Sequence, residues 1–303
     1  MTVALSVEEA FYAYEAVRHR LPDAARPGGA CRDVATLADI APAFDAFLLD
    51  AFGVLNIGET AIPGVAERVA DLQQAGKRVL VVSNAAGVPH RDTIEKYARL
   101  GFEFAPSDII TSRSTLIAAL HGAESRRWGL MASRGTGFGD LAGLDVRYLE
   151  DDPAAYAEVE GFLLVGSWGW TEARQSLLEE ALLADPRPVY VGNPDIVAPR
   201  EDGFSREPGH FAHRLADRTG IAPRFYGKPF GDIYDLALAR LGPDIARDRI
   251  VMVGDSLHTD ILGAQAAGLR AALIADYGFF SGYRIADAIG QAGIRPDYIV
   301  ARP

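Results

Sequence analysis

Short apolar runs alternate with amphipathic segments along most of this 303-residue chain. Buried strands are predicted by runs such as FDAFLLD, KRVLVVSN and DRIVMVGDS, and amphipathic helices by segments such as AERVADLQQAG and RDTIEKYARLGF. Strands that alternate with crossover helices favour a parallel, doubly wound sheet. We therefore predict an α/β fold, in which the wholly apolar VLVVS run is a central strand covered on both faces.

The same alternation restarts in the middle of the chain, with RRWGLMAS, EGFLLVGS and TEARQSLLEEALLA. We predict that this second set forms a domain of residues 119–221, inserted into a core made of residues 1–118 and 222–303. Near the N-terminus, SVEEAFYAYEAVRHR predicts an amphipathic helix that opens with a capping box of Ser6 and Glu9. We expect this helix to be an annex of the core.

Composition and charge narrow the classes of function. The chain is 49% hydrophobic and 23% charged, as is usual for a globular protein. Its net charge of −11 and its lack of a Lys/Arg-rich run argue against a nucleic-acid partner. Cys31 is the single cysteine, the first residues do not resemble a signal peptide, and no apolar segment approaches the roughly 20 residues of a membrane span. We expect a cytoplasmic protein without a membrane partner.

Polar side chains follow four of the predicted strands closely enough to share one site. They are Asp50 after FLL, Ser83 and Asn84 after VLVV, Lys228 in FYGKP, and Asp255 in VMVGDSLHTD. Ligands of open parallel sheets bind beyond the carboxyl ends of the strands, so we expect these groups to meet in one crevice. Each of them alone is common turn chemistry. Their joint order of acid, hydroxyl, lysine and then an acid pair is far more specific.

With these motifs the sequence resembles the haloacid dehalogenase (HAD) superfamily, and within it the class IIA phosphatases related to nitrophenyl phosphatase and pyridoxal phosphate phosphatase. The resemblance covers about residues 44 to 300 and includes VLVVSN, GNPD, YGKP and GDSLHTDILGAQAAG. It implies a Rossmann-like HAD core with an inserted α/β class IIA (C2-type) cap domain. It also implies hydrolysis of a small phosphorylated metabolite through an aspartyl-phosphate. Subclass members are often dimers, which suggests a homodimer, but the natural substrate stays open.

The resemblance implies a nucleophile and a metal site. Asp50 would attack phosphorus, and Asp50, Asp255 and the main-chain carbonyl of Phe52 would hold Mg²⁺. These are oxygen ligands, which magnesium prefers. A carboxylate can attack an anionic phosphoryl group only if nearby cations and hydrogen-bond donors neutralise its oxygens.

The resemblance also implies a phosphate-binding set. Lys228, Ser83 and Asn84 would bind the phosphoryl group, with Lys228 also counted among the catalytic residues. Asp260 would orient Lys228 or a metal-bound water. The alternative for Asp260 is an exposed acid in the first turn of a helix, where the helix dipole favours negative charge.

Phe52 stands where phosphatases of this family carry a second Asp, which protonates the departing oxygen and then activates water. Such general acid-base help is worth about 10²–10⁴ in rate. Three interpretations remain open. In the first, the leaving group needs little protonation, or the substrate or a cap residue supplies the proton. In the second, the protein is a metal-independent haloacid dehalogenase, although those enzymes lack the acid equivalent to Asp255. In the third, it is a catalytically weak phosphate-binding or regulatory relative.

Two further features of the insert have a structural and a functional interpretation. Asn193-Pro194-Asp195 matches a turn of the subclass's cap and is either a turn fixed by side-chain hydrogen bonds or a substrate contact. Trp168 and Trp170 either pack in the insert or line the substrate entrance.

Overall fold

The computed structural model describes residues 2–3, 5–121, 125–133, 135, 139–141, 143–200 and 203–303. The strands are β1 Thr2–Val3, β2 Arg32–Thr36, β3 Ala46–Leu49, β4 Asn56–Ile57, β5 Thr60–Ala61, β6 Arg78–Ser83, β7 Ile109–Thr111, β8 Arg127–Met131, β9 Asp145–Tyr148, β10 Gly161–Leu164, β11 Val189–Val191, β12 Val197–Arg200, β13 Gly203–Arg206, β14 Arg224–Phe225, β15 Ile250–Gly254, β16 Arg270–Ile274 and β17 Tyr298–Arg302.

The α-helices are α1 Val7–Ala16, α2 Leu37–Ile40, α3 Val65–Gln74, α4 His90–Arg99, α5 Ser112–His121, α6 Pro153–Ala157, α7 Glu172–Ala184, α8 Pro208–Thr219, α9 Gly231–Leu241, α10 Leu262–Ala266 and α11 Ile285–Ala292. Short 3-10 turns and one π-helical turn, Leu257–Ile261, connect some of them. Among the described residues, no helix is both long enough and apolar enough to cross a membrane.

The main sheet has seven strands in the order β2-β17-β16-β15-β3-β6-β7, and every neighbouring pair is parallel. Successive side chains of a strand point to opposite faces, and in β3 Leu48 joins one hydrophobic cluster while Phe47 and Leu49 join the other. Helices cover both faces, which explains why β3 and β6 are apolar almost throughout. The prediction of an α/β fold with a parallel sheet is confirmed.

A second parallel sheet of five strands has the order β14-β11-β10-β8-β9 and a hydrophobic cluster of its own. Helix α7 begins after its N-cap, Thr171, whose hydroxyl accepts a hydrogen bond from the backbone N–H of Arg174. Strand β14 follows the predicted end of the insert at residue 221, and β9 was not predicted. Both are edge strands with few buried side chains, so neither leaves a clear apolar period in the sequence.

The N-terminal segment connects the main sheet to a β-hairpin of the chain's middle part. Helix α1 opens with the predicted capping box of Ser6 and Glu9, and Phe11 and Tyr14 are buried in the main hydrophobic cluster. Strand β1 pairs with β13, the second strand of the β12–β13 hairpin. The Tyr14 hydroxyl accepts a hydrogen bond from the backbone N–H of Ile196, at 3.2 Å. The segment therefore holds the base of the hairpin against the core.

Candidate active site

Three adjacent strands of the main sheet present polar residues at their carboxyl ends. Asp50 directly follows β3, Asp255 directly follows β15, and Ser83 is the last residue of β6 with Asn84 next in the chain. Because β15, β3 and β6 are neighbours, these residues converge on one cavity of about 420 Å³. The parallel topology is therefore sufficient to bring them together.

Lys228 reaches the same point from the loop that follows β14. Its Nζ lies 2.6 Å from Asp50 Oδ1 and 2.7 Å from Asp260 Oδ1. The lysine side chain is 2% exposed and that of Asp50 is 14% exposed. Since Asp260 itself is fully buried, the lysine bridges the accessible carboxylate to one that solvent does not reach.

Backbone amides of the segments that follow β15 and β16 fix the two other acids. Asp260 Oδ2 accepts hydrogen bonds from the backbone N–H groups of Asp255 and Ser256, both at 3.1 Å. Asp255 Oδ2 accepts one from the N–H of Phe279, at 2.8 Å. Gly278, at φ +78°, passes so close that a Cβ there would lie 2.1 Å from Asp255 Oδ2. The exposed first-turn position considered for Asp260 is wrong, because this side chain is buried in the cluster.

Burial and mutual repulsion shape the protonation of the acids. Burial, reinforced by Asp260, raises the pKa of Asp50 to about 6 although Lys228 lowers it. Burial and the charges of Asp50 and Asp260 hold the pKa of Asp255 well above its usual range. Burial lowers the pKa of Lys228, but Asp260 and Asp50 outweigh it and raise that pKa above its ordinary value. The ammonium is therefore a fixed positive charge in this cluster.

The donor set of the cluster fits a divalent cation. Carboxylate oxygens of Asp50, Asp255 and Asp260 lie within 4.8 Å of one another. If all three carboxylates are ionised, they exceed the one ammonium of Lys228 by two negative charges, which one divalent cation would balance. All are oxygen donors, as magnesium prefers.

Asn84 makes contacts that sequence analysis did not foresee. Its Nδ2 donates to Asp195 Oδ1 at 2.7 Å and to the carbonyl of Lys228 at 2.9 Å, and its Oδ1 accepts from the Lys228 N–H at 2.7 Å. The side-chain amide predicted to bind phosphate is thus engaged with protein groups. It positions Lys228 and, through Asp195, the insert.

Further side chains line the cavity besides those predicted to bind phosphate and metal. Asp195 and Tyr14 line the cavity together with Phe52, which is half-buried there. Tyr14 lies in the N-terminal helix, 36 residues before the nucleophile candidate, so no motif connects them. Phe52 and Asp195 thus line the same cavity as Asp50.

The two tryptophans of the insert have different surroundings. Trp170 packs against the insert's hydrophobic cluster, and its indole N–H donates to Gln175 Oε1 at 2.9 Å. Trp168 is 76% exposed. Neither is among the residues that line the cavity around Asp50.

A larger cleft of about 700 Å³ is lined by residues such as Arg20, Phe225 and Asp232. None of the clustered acids lines it. The smaller cavity is the candidate active site because the perturbed carboxylates lie there.

Comparison with known proteins agrees with this geometry. A family model described as haloacid dehalogenase-like hydrolase matches residues 47–137, and one described as HAD-hydrolase-like matches residues 225–302. The chain is 32% identical to chronophin of Bos taurus over 254 residues, covering 79% of this chain and 83% of that protein. This chain belongs to the haloacid dehalogenase-like hydrolase family.

Two other similar proteins are phosphatases by name. The 4-nitrophenylphosphatase of Schizosaccharomyces pombe is 26% identical over 280 residues, covering 85% of this chain and 91% of that protein. A solved glycerol phosphate phosphatase of Mycobacterium tuberculosis, in complex with magnesium, is 25% identical with a TM-score of 0.67, covering 86% of this chain and 75% of that one. The fold of this chain is that of HAD phosphatases that carry a cap domain.

Proposed function

We propose that this chain is a magnesium-dependent phosphatase that hydrolyses a small phosphorylated metabolite through a phosphorylated Asp50. The observation that carries the proposal is the contact of Lys228 Nζ with Asp50 Oδ1, at 2.6 Å, at the rim of the parallel sheet. A lysine beside a nucleophilic carboxylate offers its charge to the phosphoryl oxygens of a substrate. The phosphatase names of two similar proteins support the same reaction.

Each residue of the site has its own role in the proposed reaction. Asp50 attacks phosphorus, and the bond to the leaving oxygen breaks. Lys228 and the hydroxyl of Ser83 neutralise the phosphoryl oxygens, and Asn84 acts through the two backbone hydrogen bonds with which it holds Lys228. Asp260 holds the ammonium from the other side, at 2.7 Å. These fixed partners keep the lysine oriented before substrate arrives.

Asp50, Asp255 and the main-chain carbonyl of Phe52 would hold the magnesium ion. When bound, the ion would neutralise charge on the phosphoryl group. The excess negative charge of the acid cluster supports this assignment. The carbonyl of Phe52 is available whatever the side chain, so the replacement of the family's second acid leaves this ligand in place.

The test is hydrolysis of nitrophenyl phosphate, whose leaving group needs little protonation. We expect turnover that requires Mg²⁺, stops with a chelator, and is lost in Asp50→Asn. Asp71→Asn is the matched control, because Asp71 is exposed on α3 and pairs only with nearby Arg68 among the described residues. This variant should keep full activity.

Two other results would overturn the proposal. Halide release from a 2-haloacid without metal, with no phosphatase activity, would identify a dehalogenase. Saturable binding of phosphate esters without turnover of any of them would identify a binding or regulatory relative.

A further inference from the structure

The loop between β11 and β12 brings a second acid from the insert into the active-site cavity. Asp195 is half-buried and lines the same cavity as Asp50, Phe52 and Lys228. It belongs to the small-sheet part of the chain, whereas Asp50 follows the main sheet. The cavity that holds Asp50 is therefore also lined by an acid of the insert.

Protein contacts hold Asp195 in place. Its Oδ1 accepts a hydrogen bond from Asn84 Nδ2, the same amide group that binds the backbone of Lys228. Its backbone N–H donates to Asn193 Oδ1 at 3.0 Å, and its carbonyl accepts from the N–H of Gly209 at 3.0 Å. The carboxyl is thus tied to the lysine that contacts the nucleophile. Among the described contacts Asn84 occupies Oδ1, which leaves Oδ2 for a proton.

The surroundings of Asp195 favour a carboxyl group that can both donate and accept a proton. Burial, helped by the negative charges of Asp50 and Glu207, raises the pKa of Asp195 to about 7 against the lowering effects of Asn84 and Lys228. Tyr14 lies near enough to interact with its charge. A pKa close to the working pH is the value that suits a group acting in turn as acid and base.

We propose that Asp195 protonates the leaving oxygen, the step that Phe52 cannot perform. The proposal rests on the phosphatase function proposed above. As Asp50 Oδ bonds to phosphorus and the ester P–O bond breaks, the Asp195 proton moves to the leaving oxygen and an alcohol departs. The Asp195 carboxylate then takes a proton from water as the water oxygen bonds to phosphorus. The bond from phosphorus to Asp50 breaks, inorganic phosphate leaves, and Asp195 is protonated again.

The experiment compares Asp195→Asn with the wild type on two substrates. Asparagine keeps an oxygen that can accept from Asn84 but carries no acidic proton. For an alkyl ester such as glycerol phosphate, we expect kcat/KM to fall by about 10²–10⁴, because an alkoxide leaves poorly without a proton. For nitrophenyl phosphate, kcat/KM should change by less than about threefold, because it reports only steps up to release of the good leaving group.

A second readout separates the two half-reactions. Loss of the base should slow breakdown of the phosphorylated Asp50, so Asp195→Asn should release a burst of nitrophenol before a slow steady state. Asp185→Asn, an exposed acid of the same insert, is the matched control and should show neither change. An equal fall of kcat/KM for both substrates would mean that Asp195 only supports the fold, and it would overturn the inference while leaving the proposed phosphatase intact.

The pH dependence of the wild type tests the inference even if the variant does not fold. The ratio of kcat/KM for the alkyl ester to that for nitrophenyl phosphate should fall as the pH rises through about 7, where Asp195 loses its proton. Titration of Asp50 affects both substrates and cancels in this ratio. A ratio that does not change with pH would overturn the role of Asp195. Failure of the wild type to hydrolyse nitrophenyl phosphate at all would instead refute the proposed function.

Discussion

Replacing Lys228 by methionine removes the ammonium that lies between Asp50 and Asp260 and keeps a side chain of similar length. The lysine is 2% exposed and its Nζ is 2.6 Å and 2.7 Å from the two carboxylates. Without it, the acids are left in a buried cluster with no cation between them. We expect the metal-free variant to be strongly destabilised at neutral pH.

The magnitude follows from the pKa of Asp50, which burial raises from 3.8 to about 6 even with Lys228 present. At about 1.4 kcal/mol per pKa unit, ionising Asp50 already costs the native state about 3 kcal/mol. Because the pKa of Asp50 is higher in the folded state than in the unfolded state, the contribution of this acid to stability is fully present below its unfolded-state pKa. That contribution is lost as the pH rises through about 6. Removing one partner of a buried pair costs about 3–5 kcal/mol, out of a total stability of roughly 5–15 kcal/mol.

The assay is urea unfolding of the metal-free protein near about pH 7.5 and about pH 5. Lys228→Met should lower the free energy of unfolding by about 3–5 kcal/mol at the higher pH. The loss should be smaller at the lower pH, where Asp50 is already mostly protonated and the lysine has less charge to pair with. Lys96→Met is the control, because Lys96 pairs with Glu59, which is 78% exposed, and should cost less than about 1 kcal/mol. Equal losses for the two variants, or a loss for Lys228→Met that is independent of pH, would refute the reasoning.

Three further predictions concern other parts of the site. Phe52→Asp, introduced into Asp195→Asn, should raise the reduced kcat/KM for the alkyl ester at least about tenfold, because an acid then stands two residues after Asp50. No recovery would mean that this position does not reach the leaving oxygen. Tyr14→Phe should lower the free energy of unfolding by about 1–3 kcal/mol in urea, because it leaves a buried backbone N–H without its acceptor; a loss near zero would show that another group accepts it. Gly278→Ala should weaken the apparent Mg²⁺ affinity about tenfold or more in a titration of the unfolding midpoint, because its Cβ collides with Asp255.

The control for the last variant is Gly282→Ala. Gly282 has φ +75°, nearly the same as Gly278, but a Cβ there meets nothing within 4 Å. Both substitutions share the cost of a left-handed backbone, about 1 kcal/mol. Only Gly278→Ala should therefore alter magnesium affinity, and an equal effect of the two would assign the change to backbone strain.

The sequence predicted the meeting of Asp50, Ser83 and Asp255 because each of these residues closes or follows an apolar run. In a parallel sheet, the carboxyl ends of neighbouring strands share one edge, so a local pattern specifies a long-range arrangement. The apolar pattern could not predict the position of Lys228, because its loop follows β14, a two-residue strand of the small sheet. Its motif YGKP, rather than any periodicity, indicated that it belongs to the site.

The pairing of the N-terminus with the hairpin could not be predicted in this way. Strand β1 has two residues and pairs with β13 some 200 residues later in the chain. Neither element has enough residues to show an alternating apolar pattern. The helix between them was predicted because its capping box is local, whereas the contact of Tyr14 with the insert depends on the assembled fold.

The case of Asp195 explains why the sequence alone could not identify a group that replaces the acid missing at position 52. The tripeptide Asn193-Pro194-Asp195 has the composition of a turn, and the Asn193 side chain does accept a turn-like hydrogen bond from the Asp195 N–H. What distinguishes this carboxyl is burial beside Asp50 and the amide of Asn84, which come from segments more than 100 residues away. Protonation near neutral pH is thus a property of the assembled cavity and not of the motif. The loss of an acid at position 52 therefore does not by itself mean the loss of acid catalysis, because a second carboxyl borders the same space from the insert.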